Sequence, residues 1–264
     1  MALIYEKKKQ IAYLTLNRPE VHNALDSETI VALAAAWEDI RDDKTIKCAI
    51  ITGAGNKSFC SGADLKKLIP LTTDHRKPET EADERIVENP GLIGKALLTD
   101  FKLYKPVIAA INGHAFAGGM LLLCSTDIRI ACHEARFGIQ GVKWNIFPVG
   151  AATLVPMQLS YARTMELLLT GETISAKRAY EYGFVNRVVT KNEVMEQAVR
   201  FAEIISGNGP DVVSGIKKAV IENIGMSVEE GIKNEKKTAE KILNMEFTKE
   251  GLTAFKEKRK PEYR

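Results

Sequence analysis

The chain lacks most of the features that assign a function at sight. Its four cysteines, Cys48, Cys60, Cys124 and Cys132, show no C-x-x-C spacing. That argues against a zinc site or a redox pair and for reduced thiols, so no metal is expected. An excess of one charge is also missing. In 264 residues, 37 basic and 34 acidic side chains leave +3, too balanced for a nucleic-acid surface. Long apolar runs are scarce. The one candidate, 107–124, is nearly uncharged but is interrupted by Asn112, His114 and glycines 113, 118 and 119. It reads as buried strand, tight turn and buried helix rather than a membrane span. The opening Met1-Ala2-Leu3-Ile4-Tyr5-Glu6-Lys7-Lys8-Lys9 places its charges after a very short apolar stretch, unlike a signal peptide. A cytoplasmic protein with no membrane or nucleic-acid partner is expected.

What is present suits an α/β core. At 45% hydrophobic the chain has the means to bury one large core. Residues 11–16 read as a strand, followed by a turn at Asn17-Arg18-Pro19-Glu20. Asp26 or Ser27 caps a helix running to about Asp42, with Ile30, Leu33, Ala34 and Trp37 on one face. Further strands are expected at 48–52, 106–112 and 128–131, and a short buried helix at 118–125. The unit strand, turn, helix, strand recurs at least twice, which suggests stacked turns of an α/β spiral. From about Tyr161 the pattern becomes helical, with helices at 163–169, 175–182, 191–205, 212–224 and 227–243. We place a core at 1–200 and a helical region at 201–264. The polar, proline-punctuated run at 70–95 holds Asp74, Glu79, Glu81, Asp83, Glu84 and Glu88. It reads as a loop with at most short helix, either a lid or a surface excursion.

Two glycine-rich turns, each after an apolar strand, carry the chemistry. One is Phe59-Cys60-Ser61-Gly62-Ala63-Asp64-Leu65-Lys66, the other Ile111-Asn112-Gly113-His114-Ala115-Phe116-Ala117-Gly118-Gly119. Small residues let backbone approach a ligand, and free N–H groups can hold developing negative charge. Converging turns of this kind make an oxyanion hole.

These turns, with Asn17-Arg18-Pro19, Asn23-Ala24-Leu25, Lys105 to Ala110, Cys124 to Asp127, Phe137-Gly138, Thr170-Gly171, Ile174-Ser175-Ala176 and Phe255 to Lys260, resemble the crotonase (enoyl-CoA hydratase/isomerase) superfamily. The matches keep family order along nearly the whole chain. The resemblance implies a ClpP/crotonase-type α/β spiral of ββα turns with a helical C-terminal trimerisation region, hence a homotrimer or a hexamer of two trimers. It implies an acyl-CoA thioester as ligand and no separate cofactor, coenzyme A being part of the substrate. The thioester oxygen falls to the N–H groups of Ala63 and Gly118. Coenzyme A falls to Arg18, Ala24, Ser61, Ala63, Asp64, Leu65, Lys66, Phe255 and Lys258. Of these, Arg18 and Ala24 are expected on the adenine side, and the two lysines near phosphate.

The resemblance fails where a proton must move. Hydratases of the superfamily use two glutamates, whose positions fall on Leu121 and Gly141; a third acid position, used by isomerases and dehalogenases, falls on Val149. None of the three residues titrates, so the usual acid–base help does not carry over. His114, Gln140, Trp144 and Asn145 are candidates for the acyl pocket, and Gly141 is expected to leave room for a bulky acyl group. A carboxylate from the 74–88 run is the candidate replacement acid. Cys124 reads as core, Lys143 as surface, and Asp64 and Asp127 as structural. Three readings stay open: a divergent lyase, hydratase or isomerase; a thioester hydrolase or C–C bond enzyme; and an acyl-CoA-binding protein with little catalysis.

Overall fold

A computed structural model describes residues 1–263. Its larger sheet has six strands: β1 (Leu3–Lys8), β2 (Ile11–Leu16), β3 (Cys48–Gly53), β5 (Val107–Ile111), β7 (Ile128–Cys132) and β10 (Arg187–Val189), in the order β1-β2-β3-β5-β7-β10. Only the β1–β2 pair is antiparallel; the register runs Ile11↔Cys48, Ala49↔Val107, Ile108↔Ile128 and Ile130↔Arg187. The smaller sheet orders β4 (Ser58–Cys60), β6 (His114–Phe116), β8 (Arg136–Gly138) and β9 (Ile174–Ser175) as β4-β6-β8-β9. Each of β3, β5 and β7 passes directly to its partner β4, β6 or β8 in the second sheet. After β4 and β6, helix returns the chain to the first; after β8, helices lead to β9 of the second sheet, and α8 (Ala176–Glu181) then leads to β10. This is the expected spiral of ββα turns. Its core strands read as unbroken apolar runs because both faces are covered; all of Val107 to Ile111 is buried.

Helix α1 (Ser27–Asp42) starts where Asp26 accepts the N–H of Thr29, and its Trp37 is fully buried, donating Nε1 to Ala96 O at 3.0 Å. The 70–95 run is more ordered than its composition suggests. It forms α2 (Leu68–Thr72), α3 (Glu81–Glu88) and α4 (Gly91–Ala96). Thr80 caps α3 through Asp83 N, and Glu81, Asp83 and Glu84 fall in its first turn, where acids complement the helix dipole. Three of its six acids thus start a short helix, while Asp74 and Glu79 lie outside any helix.

Helix α5 (Gly118–Cys124) is buried almost throughout. Then come α6 (Ala151–Leu154), α7 (Tyr161–Thr170), α8 (Ala176–Glu181), α9 (Glu193–Ser206), α10 (Pro210–Glu222), α11 (Val228–Leu243) and α12 (Glu246–Glu257). Helix α9 packs on β3, β5 and β7, so a division at residue 200 cuts through a helix that belongs to the core. Beyond it, α10 and α11 lie side by side, Gly215 leaving no space for a Cβ beside Ile242. Their remaining apolar faces are open: on α10 Ile216 is 61% exposed and Val220 63%, and on α11 Ile232 is 48% exposed. A groove of about 450 Å³ runs between the two helices. Among the described residues no helix is long and apolar enough to cross a membrane, and no group of His, Cys, Asp or Glu has the makings of a metal site.

Candidate active site

The two glycine turns meet where the sheets join. Leu25 forms an isolated parallel bridge with Ala63. Its N–H donates to Gly62 O and its carbonyl accepts from Asp64 N, both at 2.8 Å. In extended chain, successive peptide groups face opposite edges. With Gly62 O and Asp64 N turned to Leu25, the N–H of Ala63 faces away. On that other side lies Gly118: a Cβ built on it would stand 3.6 Å from Ala63 N. Gly62 has φ +95°, and a Cβ there would fall 2.7 Å from Ala117 Cβ and 2.9 Å from Gly118 N. Only glycine permits both that φ and that approach.

Neither the Ala63 nor the Gly118 N–H has a hydrogen-bond partner among the described residues. Gly118 opens α5, and the first N–H groups of a helix have no acceptor within it. The preceding Ala117 is strained, at φ 45° and ψ −118°, a conformation that L residues avoid. It is held by its N–H on Gly138 O at 2.9 Å and by Leu121 N on its own carbonyl at 3.0 Å.

Charge holds the Ala63 side. Arg18 Nη1 donates to Ala24 O at 2.6 Å and to Asp64 Oδ2 at 3.0 Å, while Nε lies 3.3 Å from Asp26 Oδ2. Asp64 Oδ1 accepts the N–H groups of Lys66 at 3.0 Å and Lys67 at 3.2 Å. Burial pushes the Asp64 carboxyl up, but the bonds from Lys66 N, Arg18 and Lys67 N outweigh it and hold the group below its ordinary range. Arg18 and Asp64 thus face each other rather than solvent. Sequence reasoning found these residues but not their pairing, which joins segments 46 residues apart.

The three expected acid positions have different surroundings. Leu121 is buried one turn beyond Gly118. Its Cδ1, Leu154 Cδ1 and Thr99 Cγ2 each lie 4.0 Å from the point a Gly150 Cβ would occupy, so its surroundings there are carbon. At Gly141 the sequence expectation needs correction. A Cβ there would collide with Ile146 O, and Ile146 N donates to Gly141 O at 2.9 Å. Glycine closes a 3-10 turn over Gly141–Trp144, ended by Asn145 at φ 55°, and opens no space for an acyl group. Val149 is 80% exposed, on the same loop as Trp144 at 71% and Phe147 at 76%. Gln140 is half-buried and Asn145 exposed.

The 74–88 run brings no free buried carboxylate. Asp83 is buried but committed to Ser27 Oγ at 2.5 Å and Arg76 Nη1 at 2.8 Å; Asp74, Glu79, Glu81, Glu84 and Glu88 are exposed. His114 stacks on Phe116 at 5.6 Å, its Nδ1 buried without a partner. Burial, with Arg136, His22 and Lys191 adding, lowers its pKa. Burial pushes the Cys60 and Cys124 thiols up to about 12, which leaves them protonated and inert at neutral pH.

Of the remaining coenzyme A candidates, Ala24 is buried, Ser61 half-buried, and Leu65 and Lys66 exposed. Phe255 is 84% exposed on α12, and Lys258 ends that helix at φ 56°. The tail after Lys258 brings Tyr263 O to Lys47 Nζ at 2.7 Å. Lys47 immediately precedes β3, whereas the Ala63 turn lies beyond its far end.

A family model described as enoyl-CoA hydratase/isomerase matches residues 6–264. The chain belongs to the enoyl-CoA hydratase/isomerase family. It is 37% identical over 265 residues to (E)-benzylidenesuccinyl-CoA hydratase of Thauera aromatica, covering 100% of this chain and 99% of that protein. Carnitinyl-CoA dehydratase of Proteus mirabilis is 36% identical over 257 residues, 95% of this chain and 94% of that one. Among solved structures, enoyl-CoA hydratase from Bacillus anthracis superposes with TM-score 0.89 at 33% identity, covering 100% of this chain and 99% of that one. The fold of this family member is thus the crotonase fold.

Proposed function

We propose that the protein transforms an unsaturated acyl-CoA through an enolate held by the N–H groups of Ala63 and Gly118. The observation that carries this is a pair of unpartnered amides on adjoining turns, a Cβ built on Gly118 standing 3.6 Å from Ala63 N. Water adding to the β-carbon drives the double-bond electrons towards the thioester, and the negative charge collects on its oxygen. Protonation at the α-carbon completes hydration, and the reverse sequence is dehydration. Two preorganised donors, one at a helix N-terminus, lower the barrier by up to about 3 kcal/mol each. The usual pair of glutamates is absent, Leu121 and Gly141 standing in their positions, so crotonyl-CoA hydration is slowed by about 10²–10⁴-fold relative to two-glutamate enzymes. The likeness to a hydratase named for an aromatic acyl-CoA supports including aromatic substrates.

Coenzyme A binds with its phosphates near Lys66 of one subunit and Lys258 of another, which places the site at a subunit boundary. The open apolar faces of α10 and α11 support a trimer, or a hexamer of two trimers. Light scattering that finds a monomer at micromolar concentration overturns that assembly.

The test of function is α-proton exchange from deuterated water over a panel of crotonyl-, cinnamoyl- and branched acyl-CoAs. Exchange is expected with at least one. The empty acid positions favour one second reading, a binding protein with little catalysis. It predicts tight acyl-CoA binding with no exchange on any member of the panel.

A further inference from the structure

We infer that Arg18 is the positioning residue for the Ala63 amide, bracing the two segments that set where that N–H points. The inference deepens the acyl-CoA reading above and rests on it.

The peptide that carries the Ala63 N–H joins Gly62 to Ala63. On one side of it Gly62, at φ +95° and without a Cβ, offers little resistance to rotation. The orientation must therefore be imposed from Leu25, which bonds Gly62 O and Asp64 N, and from Asp64, which follows Ala63. Arg18 grips both. One nitrogen, Nη1, reaches Ala24 O, immediately before Leu25, and also Asp64 Oδ2. Nε turns to Asp26, the cap of α1, whose side chain is only 4% exposed. The other oxygen of Asp64 gathers Lys66 N and Lys67 N, so the turn after Ala63 is wound on a carboxylate that Arg18 holds. The Arg18 side chain is 12% exposed and that of Asp64 10%. In this low-dielectric setting the charges reinforce a defined geometry. The forked guanidinium serves three acceptors in fixed directions, which a single ammonium cannot reproduce.

The experiment reads the thioester carbonyl itself. Isotope-labelled crotonyl-CoA is bound to the native protein and to Arg18→Lys, Arg18→Gln and Asp64→Asn, and the carbonyl stretching band is recorded alongside free coenzyme A affinity and α-proton exchange. Two well-placed donors shift the band down in the native protein. In the folded variants we expect the downshift to fall by half or more, and exchange measured at saturating thioester to drop by about tenfold or more, a fraction of the 10²–10³ lost with a whole donor. Arg18→Gln/Asp64→Asn is expected to be little worse than either single change, since both break one unit. A full downshift in folded Arg18→Lys and Asp64→Asn, with only thermal stability reduced, overturns the inference and leaves Arg18 a stability residue. Should Arg18→Gln not fold, those two conservative variants decide. No downshift in the native protein overturns the acyl-CoA reading itself, and the inference with it.

Discussion

The Ala63 turn is held by charge; the Gly118 turn is held by packing and strain. Around Ala63, three ionised side chains and one isolated bridge fix a segment with only short helix behind it. Around Gly118, an almost wholly buried helix and a strained Ala117 do the same without any charged group. Two adjoining turns can thus be held by supports that respond differently to pH and to substitution. The charged support is tunable but titrates. The packed one is insensitive to acid but intolerant of added volume.

The largest effect is expected on the packed side. In Gly119→Ala the new methyl collides with the Cys60 backbone and would approach Cys60 Cβ to 2.8 Å. Overpacking against backbone costs about 3 kcal/mol or more, read as a lower denaturation midpoint at unchanged slope. A variant as stable as the native chain breaks the contrast.

On the charged side, removing Asp64 leaves Arg18 and two backbone N–H groups short of an acceptor. Asp64→Ala is expected to cost roughly 1–3 kcal/mol. Because the folded carboxyl sits below its ordinary value, its contribution is complete above the unfolded value of about 3.9 and is lost as pH falls through the lower folded value. Native stability should fall across that acid range, and Asp64→Asn should flatten the fall. An acid limb identical in both proteins removes Asp64 from the account.

A smaller gain sharpens the comparison. Ala117→Gly relieves a conformation costing of order 1–3 kcal/mol but adds about 0.5–1 kcal/mol of unfolded-state entropy. A net stabilisation of about 1 kcal/mol is expected in thermal unfolding. Destabilisation would show that Ala117 is not strained.

Elements with long apolar period were legible in the sequence. The strand at 11–16 and the helices α1, α9 and α11 fall within two residues of expectation. The three-residue strands β4, β6 and β8 were not, because so short a segment carries no period. Strand β1 was hidden by its charged end, Glu6-Lys7-Lys8. Helices α2 to α4 were hidden by prolines at 70, 78 and 90 and by acids that read as loop until Thr80 and Asp83 proved to be a cap and an anchor. Gly141 was read as empty space when Ile146 O fills it.

By itself the sequence determined the alternation of strand, glycine turn and helix, the family those turns belong to, and the absence of titratable groups at 121, 141 and 149. These are properties of residue type and local order. Only the tertiary structure decided that Leu25 bridges Ala63, that Arg18 pairs with Asp64 and Asp26, and that Asp83 is spent on Ser27 and Arg76. Each of those joins segments with no common period, and which charge meets which is settled only when the sheets have packed and removed the water between them.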